Sequence, residues 1–363
     1  MLRPLKWRYL CLFIAAVFIF CSSYASHHAF DEGLGVASGA PALNHGSQQS
    51  EGIVIVAGGD ILLDRGVRSA PGFSGDGHRL FDGIRPIISA ADLAFANLEC
   101  PLTTQCYSLP KRSCFRGDPD KARVLKRTGF DLLTLANNHV YDCGRDGILS
   151  TIEALRSNGI VPVGAGADFR EAMRPTVFNI KGLRIAVLGF TEFPLEGLLW
   201  DPDRPTPAIS NAEEMAAAMK AAKKEADLVI VTMHWGREYS GFQSDLQEET
   251  AQALSDAGAD FIIGHHPHVL QPCKKIGNTW VAFSLGNLVF DLRTPETKLT
   301  ALMRIILSPG SRKVRIEFVP FEIEHCRPLP ASAYAAQKIA RRLDQEDGQV
   351  RWKYSEKLII QAE

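Results

Sequence analysis

The sequence predicts an α/β fold built on a mixed sheet, or on two sheets packed together. Short apolar runs rich in β-branched residues alternate with amphipathic helical segments through most of the chain, a pattern typical of α/β cores. Two later apolar runs, 279–285 and 314–323, have no long helix between them, which favours some antiparallel pairing.

The composition is that of a globular protein large enough for one big domain or two ordinary ones. Of 363 residues, 46% are hydrophobic and 22% are charged, and the formal net charge is -1. Such a balance is neither basic enough to indicate nucleic acid as a partner nor biased enough to indicate disorder.

The N-terminus has the pattern of an export signal. Arg3, Lys6 and Arg8 precede an apolar run over 9–21, and the small-x-small sequence 23–25 follows it. The run is shorter than the roughly 20 residues that a spanning helix needs. We expect a signal peptide over residues 1–25, or an uncleaved membrane anchor there, and an exported protein that is periplasmic or at the cell surface.

The remaining chain divides by composition. Residues 26–50 are polar without a hydrophobic period, which predicts a flexible linker. We expect the folded domain over 51–326 and a C-terminal helical extension of the same domain over 327–363.

The cysteines beyond the leader are even in number, which in an oxidising compartment favours disulfides over a thiolate metal site. They are Cys100, Cys106, Cys114, Cys143, Cys273 and Cys326. Cys106 and Cys114 flank a Pro-Lys-Arg loop that a bridge would staple, but the spacing leaves the pairing open.

The elements follow from hydrophobic periodicity, taken in chain order. The first strand, 52–60, is a β-branched run bounded by glycines that ends on an aspartate. The other predicted strands are 91–96, 130–136, 183–190, 227–233, 260–264, 279–285 and 314–323. The predicted helices are 119–128, 146–158, 211–225, 246–257 and 332–343.

Polar residues with metal-binding chemistry follow these strands. They are Asp60, Glu99, Asn138, His139, His234, His266 and His268. Ligands in α/β proteins gather outside the carboxyl ends of strands, and this set of carboxylates, amide and imidazoles suits Zn, Mn or Fe. Taken singly, Asp60 also fits a turn or helix cap, Glu99 a surface residue and His234 a packed histidine. Their recurrence at successive strand ends favours a site for one or two divalent metal ions.

Several motifs resemble one family in order along residues 52–325. They are Gly59-Asp60-Ile61-Leu62-Leu63, Asn97-Leu98-Glu99, Ala136-Asn137-Asn138-His139 with Asp142 and Gly144, His234-Trp235-Gly236, Gly264-His265-His266-Pro267-His268 and Ser284-Leu285-Gly286-Asn287. The chain thereby resembles the CapA family of capsule or poly-γ-glutamate biosynthesis, whose domain is similar to calcineurin-type metallophosphatases.

The resemblance implies a four-layer αββα sandwich with mixed sheets and metal at the carboxyl ends of the central strands. It implies Asp60 as the first carboxylate ligand and Glu99 at the position of the bridging carboxylate. Asn138 with His139 resembles the Asn-His pair, a ligand beside a catalytic acid or charge-stabilising residue. The remaining implied ligands are His234, His266 and His268.

One departure from the metallophosphatase pattern affects the first metal position. Those enzymes open with Asp-x-His, whereas Asp60 is followed by Ile61 and Leu62. Asp64 and His265 are the candidates to replace the missing imidazole, although spacing places neither. The number of ions therefore stays open between one and two.

Two functions are consistent with these features. The first is a metal-dependent hydrolase of an amide or phosphoester bond in an anionic envelope polymer such as poly-γ-glutamate, with Arg65, Arg237 and Asn287 as substrate-binding residues. The alternative is a non-catalytic polymer-binding or export component, whose partners are the membrane proteins of a capsule assembly. A purely structural metal site is disfavoured, because such sites are usually closed by four Cys or His ligands.

Overall fold

The computed structural model describes residues 52–75, 77–107, 109–308, 313–344, 351–355 and 359–362. The predicted leader and linker, residues 1–50, lie outside the described residues. The described residues all fall within one compact unit. Among them, no helix is both long enough and apolar enough to cross a bilayer.

The strands lie along the whole described chain. They are β1 (Ile53–Ile61), β2 (Leu93–Leu98), β3 (Leu132–Thr134), β4 (Val161–Val163), β5 (Ala165–Gly166), β6 (Thr176–Ile180), β7 (Leu183–Thr191), β8 (Thr206–Pro207), β9 (Leu228–His234), β10 (Phe261–His265), β11 (Cys273–Ile276), β12 (Thr279–Ala282), β13 (Asn287–Val289), β14 (Leu299–Leu307), β15 (Val314–Glu324), β16 (Arg327–Pro330), β17 (Trp352–Tyr354) and β18 (Ile360–Ala362).

Most of the helices lie between strands that precede β11, and one lies between β16 and β17. They are α1 (Arg85–Ile88), α2 (Lys121–Thr128), α3 (Gly144–Ser157), α4 (Phe169–Ala172), α5 (Ala212–Glu225), α6 (Asp245–Asp256) and α7 (Ala333–Leu343), with 3-10 turns at Arg65–Ser69, His78–Phe81 and Glu296–Lys298. Polar caps fix several starts. Asn211 caps α5, Ser332 caps α7, and Ser244 with Gln247 forms a capping box on α6.

The larger sheet runs in the order β17-β18-β15-β14-β1-β2-β3-β4, with β13 beside β1 and β16 beside β15. Strands β1 to β4 are parallel, whereas β14 and β15 are antiparallel to their neighbours. The second sheet runs β11-β12-β10-β9-β7-β6, with four parallel central strands and antiparallel edges. Both sheets are therefore mixed.

Three apolar cores show how these sheets and helices are layered. The first joins one face of the larger sheet to α2 and α3, through residues such as Leu125 and Ile152. The second lies between the sheets, where Ile55 and Phe95 meet Ile230 and Ile263. The third joins the far face of the second sheet to α5 and α6. The layers are helix, sheet, sheet and helix, which confirms the predicted αββα sandwich.

The predicted strands and long helices are confirmed, with ends shifted by a few residues. The strand β14 was not predicted, although it lies at the centre of the larger sheet between β1 and β15. Its leucine, alanine and methionine residues suit a helix as well as a strand, so pairing with distant segments decides its conformation. Strands β16, β17 and β18 were also not predicted in the C-terminal segment.

The disulfide pairing differs from the loop staple considered above. Cys106 is bonded to Cys143, with a Cα–Cα distance of 4.4 Å, whereas Cys114 is not disulfide-bonded. The segment after β2 folds back over the start of α3, which brings Cys106 to Cys143 across 37 residues. Proximity in the fold, rather than in the sequence, selects the partner.

Candidate metal centre

The carboxyl ends of strands from both sheets meet at one edge of the sandwich. Asp60 lies near the end of β1, Glu99 directly follows β2, His234 ends β9, and His266 and His268 follow β10. All five side chains are buried. The structure therefore brings together these five predicted ligands from four strands.

The five side chains form two groups that share one carboxylate. Glu99, His234 and His266 each offer a ligand atom within 4.8 Å of the others, and so do Asp60, Glu99 and His268. An arrangement of two adjacent sites with a common carboxylate is typical of two-metal centres. The donor set of imidazole and carboxylate suits Zn, Mn or Fe.

Glu99 provides the strongest physical indication of a cation. Both of its carboxylate oxygens are buried and have no hydrogen-bond partner among the described residues. Its Oε1 lies 3.9 Å from His234 Nε2 and 3.6 Å from His268 Nε2. Burial raises the pKa of Glu99 well above its usual value. A buried carboxylate without a donor is costly, and a divalent ion would satisfy both oxygens.

His234 and His266 present converging nitrogen atoms. The Nε2 of His234 lies 3.2 Å from the Nδ1 of His266 and 2.9 Å from the Oδ1 of Asn138. Burial lowers the pKa of His266 to about 3 and that of His234 well below its usual value. Neutral imidazoles and an amide oxygen that point at one another are suited to a shared cation, and Asn138 thus joins the first group.

His268 is oriented by Asn287. The Nδ1 of His268 lies 2.9 Å from the Asn287 Oδ1, and its Nε2 faces Glu99. The amide nitrogen of Asn287 donates to the backbone oxygens of His268 and Thr297, both at 3.0 Å. Because Asn287 is fully buried and its amide is used by these bonds, the geometry favours a role in holding a ligand rather than in contacting substrate.

Burial and neighbouring charges act in opposite directions on the pKa values of His268 and Asp60. Burial would lower the pKa of His268, but the charges of Glu99 and Asp60 outweigh it and raise the pKa to about 9. Burial would likewise raise the pKa of Asp60, but its hydrogen bond to His268 and the nearby charges lower it. The second group therefore holds an ion pair at neutral pH.

The backbone after β10 is strained in a way that aims the imidazoles. His266 and His268 have φ angles of 96° and 57°, a region that non-glycine residues rarely adopt. Such outliers persist where surrounding structure holds them and are common at functional sites. A Cβ on Gly264 would lie 1.9 Å from the Phe283 carbonyl oxygen, so only glycine allows this close approach.

His139 belongs to a separate dyad beside the cluster. Its Nδ1 lies 2.7 Å from Asp142 Oδ2, and its ring stacks on Phe115 at 4.1 Å between centroids. Burial lowers the pKa of His139, and Asp142 opposes that effect. Lys111 donates to Asp142 Oδ1 at 2.6 Å and to the Asn138 carbonyl oxygen. Neither Asp142 nor Lys111 was among the predicted site residues, although Asp142 accompanies the Asn138-His139 motif at an i,i+3 spacing from His139, which was a usable signal.

Two buried amides that sequence reasoning missed connect the cluster to the dyad. Asn97 Nδ2 donates to Asp60 Oδ1 at 2.9 Å and lies 3.4 Å from His234 Nδ1. Asn137 Nδ2 donates to Asn97 Oδ1 at 3.0 Å, and its own Oδ1 accepts the His139 backbone N–H. Both precede predicted site residues by one or two positions and lie within the motifs that resemble the CapA family, which were the available signals.

The predicted replacements for the missing imidazole do not join the cluster. His265 donates from Nε2 to the Gly58 carbonyl oxygen at 3.1 Å, and Asp64 accepts the Arg116 backbone N–H at 2.8 Å. Each therefore has a structural partner of its own. The second group rests on Asp60, Glu99 and His268 among the described residues.

The two predicted arginines lie in different settings. Arg65 is paired with Asp291 and lies over the rings of Phe115 and Phe290, at 4.7 and 5.4 Å. Those rings pack on His139 and His268, which places Arg65 at the rim of the site. The side chain of Arg237 is exposed, and no contact among the described residues joins it to the cluster.

Comparisons with known proteins point to one family. A family model described as "Bacterial capsule synthesis protein PGA_cap" matches residues 54–292. The chain is 33% identical over 299 residues to "PGA biosynthesis protein CapA" of Bacillus subtilis (strain 168), covering 81% of this chain and 78% of that protein. It is 32% identical over 308 residues to "Capsule biosynthesis protein CapA" of Bacillus anthracis, covering 82% and 74%. A solved 5'-nucleotidase from Candida albicans SC5314 gives a TM-score of 0.44 at 15% identity, covering 72% of this chain and 48% of that one.

Proposed function

The chain belongs to the bacterial capsule synthesis protein PGA_cap family, and on that premise we propose that it is a metal-dependent hydrolase acting on an anionic envelope polymer. The polymer is poly-γ-glutamate or another envelope polymer, and the bond is an amide or a phosphoester. The proposal includes export, so that the enzyme meets its polymer outside the cytoplasm.

The observation that carries the proposal is the Glu99 carboxylate. It is buried without a hydrogen-bond donor among the described residues and is common to two groups of candidate ligands. A site built only for packing would not retain such a group, because an unsatisfied buried polar atom costs about 1–3 kcal/mol. The first group would hold an ion through Glu99, His234, His266 and Asn138.

The chemistry follows from the residues around that position. A bound divalent ion would polarise the scissile bond and acidify water for the attack. His139 would donate a proton from Nε2 to the leaving group, because its Nδ1 is hydrogen-bonded to Asp142. Asp142 stabilises the protonated imidazole, and Lys111 fixes the carboxylate of Asp142 in place. Phe115 covers one face of the His139 ring and excludes water there.

A non-catalytic polymer-binding or export component is the second candidate, and one observation favours it. Where metallophosphatases carry the first imidazole, Ile61 and Leu62 are fully buried apolar side chains. Neither His265 nor Asp64 compensates, since each bonds elsewhere. The second metal position therefore has fewer ligands than a two-metal hydrolase normally uses.

Metal analysis combined with two hydrolysis assays distinguishes the candidates. The substrates are poly-γ-glutamate and a simple phosphoester. We expect His266→Ala to lose both metal and hydrolysis, and His139→Gln to keep metal while losing hydrolysis. His78→Gln, in a 3-10 turn away from the predicted ligands, serves as the matched histidine control and should keep both. If wild-type protein holds metal but cleaves neither substrate, the hydrolase is refuted and the non-catalytic polymer-binding component takes its place as the proposed function.

A further inference from the structure

A disulfide lies directly against the dyad of His139 and Asp142. Cys143 follows Asp142 in the chain and is bonded to Cys106 of the segment after β2. The Cys106 sulfur lies 4.0 Å from the Asp142 carbonyl oxygen. The Cys143 sulfur lies 3.7 Å from the carbonyl oxygen of Phe115, whose ring stacks on His139. The disulfide therefore contacts the backbone on both sides of the dyad.

The same segment holds the carboxylate of Asp142 through residues 109–116, called here the dyad loop. Lys111 donates to Asp142 Oδ1 at 2.6 Å, and the backbone N–H of Phe115 donates to Oδ2 at 2.7 Å. The side chains of Lys111 and Asp142 are only 3% and 0% exposed. His139 shares the Oδ2 atom with Phe115. The orientation of Asp142, and through it that of His139, therefore depends on the dyad loop.

The segment that contains the dyad loop is also fastened at its ends. The backbone N–H of Gly117 donates to the Pro101 carbonyl oxygen at 2.8 Å, and that of Thr103 donates to the Gly117 carbonyl oxygen at 3.1 Å. Neither bond involves a cysteine of the disulfide. Loss of the disulfide should therefore leave these ends in place and free the part of the segment that carries Lys111.

One sulfur of the disulfide is accessible to a reductant. Cys106 is half-buried and precedes Tyr107, which is 82% exposed, whereas Cys143 is buried. Thiol–disulfide exchange begins with attack of a thiolate on one sulfur, so the attack should occur at Cys106. In the complete reaction the dithiol loses two electrons and two protons and closes its own S–S bond. Cys106 and Cys143 gain them and become two thiols.

We propose that the disulfide between Cys106 and Cys143 switches the dyad. The closed disulfide holds the dyad loop on Asp142, and its reduction by a dithiol releases that loop. This deepens the proposed function, on which it rests for the role of His139, by making hydrolysis conditional on an oxidising compartment. Disulfides form and persist in such compartments and are rare in reducing ones. An exported enzyme would then become fully active only where it meets its polymer.

Acetylation of lysines, followed by mass spectrometry, reports the position of the dyad loop without requiring activity. The buried amine of Lys111 should react slowly in wild-type protein. In Cys106→Ser/Cys143→Ser protein it should react about tenfold faster or more, because the reaction proceeds through local opening. Lys121 on α2 is the internal control, since it is 8% exposed and donates to two backbone carbonyl oxygens away from the disulfide. Its reaction should stay slow in both proteins.

Hydrolysis by metal-loaded protein, measured well below the Tm of every variant, gives a second readout. The double serine variant should lose about tenfold to a hundredfold in kcat with KM and metal content unchanged, because a misplaced orienting group affects the chemical step. Cys114→Ser removes an unpaired thiol from the dyad loop and should match wild type. A dithiol should lower the kcat of wild type reversibly and leave that of the double variant unchanged.

Each outcome decides the inference. Continued protection of Lys111 in the double variant would overturn it. Equal acceleration at Lys111 and Lys121 would also overturn it, because the disulfide would then act only on overall stability. So would a released Lys111 with unchanged kcat, or a fall in kcat that follows a loss of metal.

The inference and the proposed function can fail separately. If Lys111 is released in the double variant but wild-type protein hydrolyses neither substrate, the control of the dyad loop stands and the hydrolase is refuted. If wild type and the double variant hydrolyse a substrate with the same kcat, the hydrolase stands and the switch is refuted.

Discussion

Replacing Glu99 with glutamine should make the metal-free protein more stable while removing most of its stabilisation by metal. Glutamine keeps the size of the side chain and removes the charge from a site where neither carboxylate oxygen has a donor. The same change removes the carboxylate common to both ligand groups. The substitution should therefore raise the free energy of unfolding of metal-free protein and lower that of metal-loaded protein.

The magnitudes follow from burial and from mass action. Glutamine removes the charge but still leaves a buried oxygen without a donor, so the expected gain of Glu99→Gln in metal-free protein is only the part of the cost that belongs to the charge, on the order of 1 kcal/mol. Each kcal/mol corresponds to a shift of roughly 2–4 °C in Tm for domains slightly smaller than this one. At a metal concentration 100 times the Kd, the wild type should gain about 2.7 kcal/mol. A hundredfold weaker variant would gain only about 0.4 kcal/mol at that concentration.

The difference in stability between metal-free Glu99→Gln and metal-free wild type should also depend on pH. Burial raises the pKa of Glu99 in the native state, so native protein retains a proton that unfolded protein has released. The contribution of Glu99 to the free energy of unfolding of metal-free wild type therefore falls as pH rises above the ordinary glutamate value of 4.5. Glu99→Gln lacks this dependence, so its advantage in metal-free protein should grow with pH above that value.

Thermal unfolding of chelated and metal-loaded samples at several pH values measures both effects. Glu192→Gln is the matched control, because Glu192 also follows a strand end but lies outside both ligand groups. It should keep the wild-type gain from metal. If Glu99→Gln protein keeps the full stabilisation by metal, the inference that Glu99 is a ligand common to both groups is refuted. One that is clearly less stable than wild type without metal would refute the argument from unsatisfied oxygens.

Three further predictions concern proton transfer, pH and the disulfide. Loss of the general acid in His139→Gln should reduce kcat for polymer hydrolysis about 10²- to 10⁴-fold with metal content unchanged. Metal affinity should rise at least tenfold per pH unit up to about pH 9, because His268, whose pKa is raised to about 9, must lose its proton to bind a cation, and Glu99, whose pKa is also raised, loses one wherever it is still protonated. Cys106→Ser should lower the free energy of unfolding by about 2–5 kcal/mol, because the unfolded chain is no longer closed between Cys106 and Cys143.

Each of these has a direct check. Steady-state kinetics with metal analysis tests the first, and a kcat equal to wild type would contradict it. Calorimetry in buffers of different ionisation enthalpy measures proton release on metal binding below pH 9, and no release would contradict the second. Denaturant unfolding tests the third against Cys114→Ser, which removes an unpaired cysteine and should cost much less.

The fold was largely predictable because its strongest determinants are local. The β-branched run at Ile53–Ile61 and the capped helix at Ala212–Glu225 have the conformations that their patterns indicate. The strand at Leu299–Leu307 was not predictable in the same way, since its composition suits either conformation and its partners are distant in sequence. The pairing of Cys106 with Cys143 was unpredictable for a similar reason, because the two cysteines are 37 residues apart and only the fold brings them together.

The sequence by itself determined the chemistry at the strand ends, because parallel strands deliver the residues that follow them to one edge of a sheet. It identified the residue types of Asp60, Glu99 and His266 without placing them relative to one another. Only the tertiary structure decided that Glu99 lies between two ligand groups and that Asn287 holds His268. Distances between side chains from different strands depend on how two sheets pack and twist, and no local pattern in the chain encodes them.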